Sequence, residues 1–243
     1  MTPSTRDTVY QGRVTLVQPE SGFRAGFDSL ALASALPSIG PGLALELGCG
    51  SGGALFPAAF RLADTRFIGL EQDAGTAEMA REGADLNGFG DRVTIETGEA
   101  SEWVRAHENR FDLVFANPPY FEPGKISAPG EGKVGAYIES LGLEGWIKAM
   151  LFAARPRAPV ILIHRAADLA RLLAPLDRQA GEITVLPIAS KPDEPARRVL
   201  VRARKGLKRG PLTLLPPIVT HDAAGRTRSD AAQAIAEGEA IAW

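Results

Sequence analysis

From residue 43 onward, the sequence alternates short apolar runs with longer helical patterns. Five runs have the length and residue types of buried strands, at residues 43–47, 66–70, 93–97, 113–116 and 160–163. Stretches with helical periodicity separate them, at residues 53–62, 75–87, 101–108 and 143–154. Because strands that alternate with helices pair in parallel and are covered on both faces, this order predicts a doubly wound α/β fold.

After residue 164, the pattern changes to a helix followed by two strands. The helix is expected at residues 166–173, and the strands at residues 183–188 and 197–203. Residues 190–195 join the two strands and are too few for a helical crossover, so the strands should form an antiparallel hairpin. The chain is therefore predicted to contain a mostly parallel, seven-stranded sheet that ends in an antiparallel hairpin.

The first 42 residues are expected to form an extension packed on this core, with residues 43–243 as the main domain. A short strand is predicted at residues 12–18, and residues 19–22 should turn the chain. An Ala- and Leu-rich stretch at residues 29–36 predicts a helix that Asp28 caps at its N-terminus.

Composition narrows the classes of protein further. The 243 residues carry a formal net charge of −2, so any binding to nucleic acid must use a local basic patch. The single cysteine excludes an internal disulfide and a cysteine-rich zinc site, and the three histidines lack metal-ligand spacing, so no metal is expected. No apolar run approaches the roughly 18 residues of a membrane span, so we expect a cytoplasmic protein without membrane contact.

A glycine-rich loop, Glu46-Leu-Gly-Cys-Gly-Ser-Gly52, joins the strand at residues 43–47 to its helix. The glycines let the backbone approach a ligand closely, and N–H groups at the start of the helix face that ligand. The glycine spacing alone is compatible with a nicotinamide cofactor. The carboxylate of Glu46 argues against one, because an acid beside the loop suits a cation or a hydroxyl better than a pyrophosphate. We expect five loop residues to bind a nucleotide-like cofactor: Glu46, Gly48, Cys49, Gly50 and Gly52.

Polar residues follow the next two strands. Glu71 lies 21 positions after Gly50, where an acid commonly accepts hydrogen bonds from the ribose hydroxyls of an adenosyl ligand. Gln72 and Asp73 are competitors for that role. Glu99 follows the strand at residues 93–97 and is a candidate acceptor for the adenine amino group of the cofactor, with an exposed carboxylate as the alternative interpretation.

The strand at residues 113–116 runs into Asn117-Pro118-Pro119-Tyr120. The prolines end the strand because they lack the N–H that a sheet requires. Asn117 is left at the carboxyl edge of the sheet, where open α/β proteins bind ligands, and Tyr120 supplies an aromatic face nearby. A plain strand end with a loop tyrosine is the alternative interpretation.

Together, the glycine loop, Glu71 and the sequence from Asn117 to Tyr120 resemble three motifs of class I S-adenosylmethionine-dependent methyltransferases that modify planar amino groups. With Gln18, residues 23–28, Arg198-Val-Leu-Val201 and Gly225-Arg-Thr-Arg228, the chain is most similar to bacterial methyltransferases that modify adenine N6 in valine tRNA. The resemblance implies a Rossmann-like methyltransferase fold, S-adenosylmethionine as the cofactor and a tRNA substrate. It also implies that Arg24 and Asp28 line the methionine end of the cofactor, and that Asn117 borders both cofactor and substrate.

The four residues from Asn117 suit the chemistry of an exocyclic amino group, whose lone pair is delocalised into the ring. If the side-chain oxygen of Asn117 and the backbone carbonyl of Pro118 each accept one N–H, the lone pair can be aimed at the methyl group. Pro119 keeps this backbone rigid. Tyr120 can stack on the base, an interaction worth about 1–3 kcal/mol.

The same four residues also serve enzymes that methylate guanine N2 in ribosomal RNA or a glutamine amide of a protein, since each substrate presents a planar NH2 group. A cofactor- or RNA-binding module without turnover is a further alternative, and the intact sequence from Asn117 to Tyr120 argues against it. A dehydrogenase is disfavoured by Glu46 and by the same four residues. The sequence leaves the oligomeric state open.

Two segments could contact an RNA. Residues 122–135 are rich in glycine and proline and are expected to form a loop beside the site. Lys125 and Lys133 could reach a phosphate, and a solvated surface loop is at least as good an interpretation. Seven basic residues between positions 197 and 209 are explained equally well by an RNA-binding patch or by a solvated strand edge. They are Arg197, Arg198, Arg202, Arg204, Lys205, Lys208 and Arg209.

Overall fold

The chain begins with an antiparallel hairpin, formed by β1 (Ser4–Val9) and β2 (Val14–Pro19). The computed structural model describes residues 3–22, 24–120 and 142–243. Strand β2 lies within two residues of the predicted strand. No sequence pattern indicates β1, because Val9 is the only apolar residue among its six.

Helix α1 (Phe27–Ala35) follows the hairpin. It begins two residues earlier than predicted, and its N-cap residue is Gly26. The prediction that Asp28 caps this helix is therefore wrong. Asp28 lies inside the first turn, and its carboxylate instead pairs with Arg198 on a distant strand.

Five parallel strands form the centre of the main sheet, as predicted. They are β3 (Leu43–Leu47), β4 (Arg66–Glu71), β5 (Val93–Thr97), β6 (Leu113–Ala116) and β7 (Pro159–Arg165). Their spatial order is β7-β6-β3-β4-β5, so the direction in which strands are added reverses between β3 and β6. In open α/β sheets, ligands bind outside the carboxyl ends of the strands that flank such a reversal.

Helices cover both faces of the sheet. They are α2 (Leu55–Arg61), α3 (Ala74–Leu86), α4 (Ala100–Trp103) and α5 (Leu143–Ala153), and a 3-10 turn at Val104–Ala106 follows α4. The hairpin and α1 share a buried cluster with α2 and α3, in which Val14 and Leu32 lie with Phe56. Helices α4 and α5 contribute to the second cluster, on the opposite face. The first 42 residues thus pack on the sheet, while the domain boundary at residue 42 stays a prediction.

The predicted antiparallel hairpin is formed by β8 (Ala180–Ala189) and β9 (Arg198–Lys205), and β9 inserts between β7 and β8. Helix α6 (Leu169–Gln179) precedes it, after a 3-10 turn at Ala166–Asp168. This helix continues past its predicted end at residue 173, although Pro175 lies inside it. Pro175 and Leu176 are buried, and their burial offsets the backbone hydrogen bond that a proline cannot donate.

Two short strands, β10 (Thr213–Leu214) and β11 (Ile218–Val219), pair in parallel with β8, and helix α7 (Asp230–Glu237) lies near the C-terminus. No sequence pattern predicts the two strands, because two residues are too few to show a period. With them the main sheet has nine strands rather than the predicted seven, and the mostly parallel sheet with its antiparallel hairpin confirms the predicted fold class. Within the part of the chain that the structure describes, no helix has the length and apolar character needed to cross a membrane.

Candidate active site

The strand register brings three predicted site residues to one edge of the sheet. Leu47 of β3 pairs with Leu70 of β4 on one side and with Ala116 of β6 on the other. Adjacent strands are about 4.8 Å apart, so the edge formed by these three strands extends over roughly 10 Å. The next residues along the three strands are Gly48, Glu71 and Asn117.

The glycine loop turns sharply between β3 and α2. Gly48 and Gly50 have φ angles of +66° and +56°, in the left-handed region that favours glycine. A Cβ atom on Gly48 would lie 2.6 Å from Cη2 of Trp146, whereas a Cβ atom on Gly50 would meet nothing within 4 Å. The loop therefore packs on a tryptophan to which the sequence assigns no role, and it leaves space at Gly50 for a ligand to approach the backbone.

Cys49 packs its side chain against the sheet. Its N–H donates to the carbonyl of Leu70, and a Cβ atom on Gly69 of β4 would lie 2.8 Å from its Sγ. Burial raises the pKa of the Cys49 thiol well above its ordinary value. Gly52 closes the turn by donating its N–H to the Cys49 carbonyl over 3.0 Å. Both residues shape the loop, and a direct contact of either with a cofactor stays a prediction.

We expect Gly69→Val to weaken cofactor binding, because the added side chain would press on residues that pack under the glycine loop. The first added atom would lie 2.6–3.1 Å from the side chains of Leu55, Cys49 and Ile95. Overpacking of this kind should lower the free energy of unfolding by about 1–3 kcal/mol and displace the loop. Urea unfolding and calorimetric titration with S-adenosylmethionine measure the two effects. Gly90→Val is the control, because a Cβ atom there meets nothing closer than 4.0 Å; equal affinities for the two variants would contradict the prediction.

Glu46 lies two residues before Gly48 and is 2% exposed. Its Oε2 has no hydrogen-bond partner among the described residues. Burial and, secondarily, the negative charge of Glu71 raise the pKa of Glu46 well above its ordinary value, and the backbone N–H of Leu55 opposes this shift. An unsatisfied buried oxygen costs stability, so a ligand that brings an N–H or O–H group fits this position.

Glu46→Gln should stabilise the ligand-free protein more at pH 8 than at pH 5. In the unfolded chain this carboxyl loses its proton near pH ~4.3, whereas the raised pKa means that the folded protein keeps the proton to higher pH. The unfolded state therefore releases its proton first, and the wild-type protein loses stability as the pH rises between the two pKa values. Glutamine removes this dependence. Urea unfolding at both pH values is the measurement, with Glu78→Gln on the exposed face of α3 as control; a gain that does not grow with pH would contradict the expectation.

Glu71 holds the other side of the loop. Its Oε2 accepts the N–H of Gly50 over 3.0 Å, and its Oε1 accepts the N–H of Asp73 over 2.9 Å. Burial raises the pKa of Glu71, and these backbone N–H groups oppose the shift. A carboxylate has about four lone-pair positions, so it can accept further hydrogen bonds from the hydroxyls of a sugar.

Three further polar residues lie at this edge. Asp73 caps α3 by accepting the N–H of Thr76 over 2.7 Å, which commits its carboxylate to the helix. Glu99 caps α4 in the same way and accepts the N–H of Glu102 over 3.0 Å. Gln72 is half-buried. Contact of Gln72 or Glu99 with the cofactor stays a prediction.

Asn117 and Tyr120 contact each other across the two prolines. The Tyr120 hydroxyl oxygen lies 3.0 Å from Oδ1 of Asn117 and 2.8 Å from Oδ2 of Asp28. Pro118 is buried and Pro119 is half-buried. Burial and, secondarily, the charge of Asp28 raise the pKa of Tyr120, so the hydroxyl keeps its proton at neutral pH.

Two residues from β7 and β9 complete the surroundings of Tyr120. The guanidinium carbon of Arg198 lies 4.8 Å from the centroid of the Tyr120 ring, and Arg198 Nε donates to Oδ2 of Asp28 over 2.7 Å. His164 packs edge to face with the same ring at a centroid distance of 5.0 Å. Burial lowers the pKa of His164, which favours the neutral ring. The sequence gives no signal for either contact, because both partners are far from Tyr120 along the chain.

Arg24 binds residues of the N-terminal hairpin. Its guanidinium donates to Oδ2 of Asp7 over 2.5 Å and to the carbonyl of Pro19 over 2.9 Å. Gln18 accepts the N–H of Ala25 over 2.7 Å. These contacts tie the N-terminal hairpin to the segment before α1, and a contact of Arg24 with the methionine end of a cofactor stays a prediction.

The basic residues between positions 197 and 209 are spread along β9 and the segment that follows it. Strand β9 is antiparallel to β7, so Arg198 pairs with Arg165 at the carboxyl edge, while Arg204 pairs with Pro159 at the opposite edge. A strand of this length extends over roughly 25 Å. Arg197 and Arg198 are therefore the members of the run at the carboxyl edge, and an RNA-binding role of the whole run stays a prediction.

The predicted loop at residues 122–135, with Lys125 and Lys133, lies outside the described residues. Phe23 also lies outside them. Across residues 3–22, 24–120 and 142–243, no group of three or more His, Cys, Asp or Glu side chains is placed so that it could hold a metal ion.

Part of the chain is similar to known methyltransferases. Residues 44–127 match the methyltransferase domain family. The chain is 31% identical over 119 residues to the tRNA1(Val) (adenine(37)-N6)-methyltransferase of Escherichia coli O157:H7 (strain EC4115 / EHEC), and the match covers 49% of each chain. The chain thus spans about half the length of the curated relatives that it matches. These matches confirm the resemblance found in the sequence.

Solved structures share the fold. A predicted O-methyltransferase of Agrobacterium tumefaciens, protein Atu636, has a TM-score of 0.74 and 24% identity, with 88% of this chain and 98% of that chain covered. M. jannaschii TYW2, solved in complex with AdoMet, has a TM-score of 0.59 and 11% identity, with 85% of this chain and 88% of that chain covered. At these identities the comparison shows the fold alone, and it confirms the predicted Rossmann-like fold.

Proposed function

Because the chain contains a methyltransferase domain with the class I fold, we propose that it transfers a methyl group from S-adenosylmethionine to a planar exocyclic amino group. We further propose adenine N6 in a tRNA as the substrate. One observation carries the reaction type: Asn117 follows Ala116, which pairs with Leu47, the residue before the first glycine of the loop. A side-chain amide at this position can hold an amino group beside a cofactor that lies on the loop.

The residues of the site edge suit the proposed cofactor. S-adenosylmethionine, when bound, supplies an electrophilic methyl group on a positively charged sulfur. Gly50 leaves space for the approach of a ligand, and Glu71 has lone pairs available for ribose hydroxyls. The unsatisfied oxygen of Glu46 suits a ligand N–H group, and the two acids together disfavour a pyrophosphate. On sequence grounds, we also assign Gln72, Glu99 and Asp28 to the cofactor site.

Asn117 and Pro118 are proposed to orient the amino group. The side-chain oxygen of Asn117 and the backbone carbonyl of Pro118 each accept one N–H, which turns the nitrogen lone pair toward the methyl group. As positive charge develops on the nitrogen, the same two oxygens stabilise it. Pro118 and Pro119 fix two consecutive φ angles, so the carbonyl is held in place before the substrate binds.

Tyr120 is proposed to stack on the substrate base. Arg198 covers one face of the Tyr120 ring, so the base would stack on the face that points away from the guanidinium. Stacking of a base on an aromatic side chain contributes about 1–3 kcal/mol and does not depend on which base it is. Tyr120 therefore supports binding of a base, and the choice of base is made elsewhere in the site.

The tRNA substrate is supported by the relative in E. coli, whose name specifies adenine 37 of a valine tRNA. Arg197 is exposed at the site edge and can contact a phosphate of an RNA. The residues from Asn117 to Tyr120 by themselves suit adenine N6, guanine N2 and a glutamine amide equally well. Identification of the product is therefore the decisive experiment.

The test is to incubate the protein with methyl-labelled S-adenosylmethionine in three separate samples. One sample contains total tRNA, one contains ribosomal RNA and one contains a protein extract. After digestion, mass spectrometry should find labelled N6-methyladenosine in the tRNA sample, and Asn117→Ala should form it about 10²- to 10³-fold more slowly. Labelled N2-methylguanosine from ribosomal RNA, or labelled glutamine, would contradict the proposed substrate while keeping the reaction type. Binding of the cofactor without transfer to any of the three samples would contradict the enzymatic activity.

A further inference from the structure

The Tyr120 hydroxyl lies between two oxygen atoms but carries one proton. Its oxygen is 2.8 Å from Oδ2 of Asp28 and 3.0 Å from Oδ1 of Asn117. Burial and the charge of Asp28 raise the pKa of Tyr120, so the hydroxyl is a donor at neutral pH. One O–H cannot be well aligned with two acceptors at once, so one of the two oxygens does not receive the proton.

The carboxylate of Asp28 is the stronger acceptor for this proton. Hydrogen bonds to a charged acceptor are shorter than neutral ones and about twice as strong, and the contact with Asp28 is the shorter of the two. Arg198 fixes the carboxylate, because its Nε donates to the same Oδ2 over 2.7 Å. The guanidinium also lies 4.8 Å from the ring centroid. The Arg198–Asp28 pair therefore holds both the hydroxyl and the ring of Tyr120.

Asn117 must then face the lone pairs of the Tyr120 oxygen. Two oxygens at 3.0 Å with no proton between them repel each other, whereas an N–H group that points at the hydroxyl oxygen over this distance forms an ordinary hydrogen bond. A 180° rotation of the amide exchanges Oδ1 and Nδ2 in nearly the same volume. We propose that Arg198, Asp28 and Tyr120 form a relay that orients the Asn117 amide, with Nδ2 against Tyr120 and Oδ1 on the opposite side.

The relay makes Asp28 and Arg198 positioning residues, and this role rests on the proposed function. An amide that presented its NH2 group to the substrate would place N–H groups against N–H groups, and no hydrogen bond could form. The orientation set by the relay presents an acceptor before the substrate arrives, so the site needs no reorganisation during the reaction. The relay acts through Asn117, and neither Asp28 nor Arg198 has to touch the substrate.

The orientation of the amide can be measured by NMR on the full chain labelled with [15N]asparagine. The sequence contains three asparagines, Asn87, Asn109 and Asn117, so Asn117→Ala identifies the Asn117 NH2 signals by their loss. We expect a nuclear Overhauser effect between these NH2 protons and the Tyr120 ring, and a shift of the NH2 signals in Tyr120→Phe. If the effect is missing while the other two NH2 pairs are visible, the relay is disproved, whether or not the protein methylates RNA.

Single-turnover kinetics at saturating cofactor and RNA test the consequence for the reaction. Tyr120→Phe keeps the stacking ring, so the Kd for RNA should stay within about twofold, while methyl transfer slows about tenfold. Asp28→Ala should have a similar effect. Because both changes break the same relay, the double variant should be no slower than the slower single variant. Independent effects that multiply to about a hundredfold would overturn the proposal.

A matched control is available on the same strand. Arg198→Ala should slow methyl transfer several-fold, whereas Arg204→Ala should change it by less than about twofold. Arg204 lies on the same face of β9 and also pairs with a carboxylate, Glu182, but it is at the opposite edge of the sheet. Equal rates for the two variants would contradict the relay. Inactivity of the wild-type protein on every RNA would count against the proposed function, and the NMR result would still decide the relay.

Discussion

Replacement of Asn117 by alanine is expected to slow methyl transfer by about 10²- to 10³-fold, the range observed when one group that stabilises transition-state charge is removed. The variant loses the oxygen that is proposed to accept one N–H of the amino group, so the lone pair is no longer aimed at the methyl group. The affinity for S-adenosylmethionine should change by less than about threefold, because the interaction is made in the transition state.

Single-turnover rates with tRNA and calorimetric titration with the cofactor measure the two quantities for Asn117→Ala. Asn109→Ala is the matched control. Asn109 is exposed, and its side chain contacts Lys205 at the opposite edge of the sheet, so its replacement should leave the transfer rate within about twofold of wild type. A loss of cofactor affinity in Asn117→Ala comparable to its loss of rate would mean that Asn117 binds the cofactor instead of orienting the substrate.

Glu71→Ala should raise the Kd for S-adenosylmethionine by about a hundredfold or more. Hydrogen bonds to a charged group contribute about 1.5–3 kcal/mol each, and two ribose hydroxyls would lose their acceptor. The variant also loses the bond from the N–H of Gly50, which positions the glycine loop. Two effects of the same change therefore act on the same ligand.

The measurement for Glu71→Ala is calorimetric titration, accompanied by thermal unfolding to separate binding from folding. Asp73→Ala is the control, because it removes the cap of α3 and should cost about 1 kcal/mol of stability without removing a proposed cofactor contact. Its Kd should stay within about threefold of wild type. If Glu71→Ala binds the cofactor as well as Asp73→Ala does, Glu71 does not bind the ribose.

The sequence predicts most of the central sheet because its signals are local. An apolar run such as residues 113–116 has the length of a buried strand, and the prolines that follow it fix where the strand ends. Five parallel strands, four intervening helices and the antiparallel hairpin follow from such patterns. The differences between the predicted and observed elements also have local causes. Strands β10 and β11 are too short to show a period. Pro175 favours a helix end, but the burial of Pro175 and Leu176 lets α6 continue.

The basic run after position 197 shows where local patterns fail. Along the sequence its seven cations look like one feature. Because β9 is antiparallel to β7, the strand separates Arg198 at the carboxyl edge from Arg204 at the other edge. The sequence cannot show this separation, because the separation depends on the length and direction of β9 within the sheet.

By itself, the sequence determined the fold class, the glycine loop, the acid Glu71 at the end of β4 and the position of Asn117 at the end of a buried strand. Each of these features depends on residues within one short segment. The backbone geometry of that segment and the order of the strands then fix its position in the fold. Only the tertiary structure decided what surrounds Tyr120. Asp28 and Arg198 are 170 positions apart, and they meet because α1 packs near the carboxyl edge at which β9 begins. Contacts between polar side chains from distant elements leave no local pattern, and the packing of the whole chain is what brings them together.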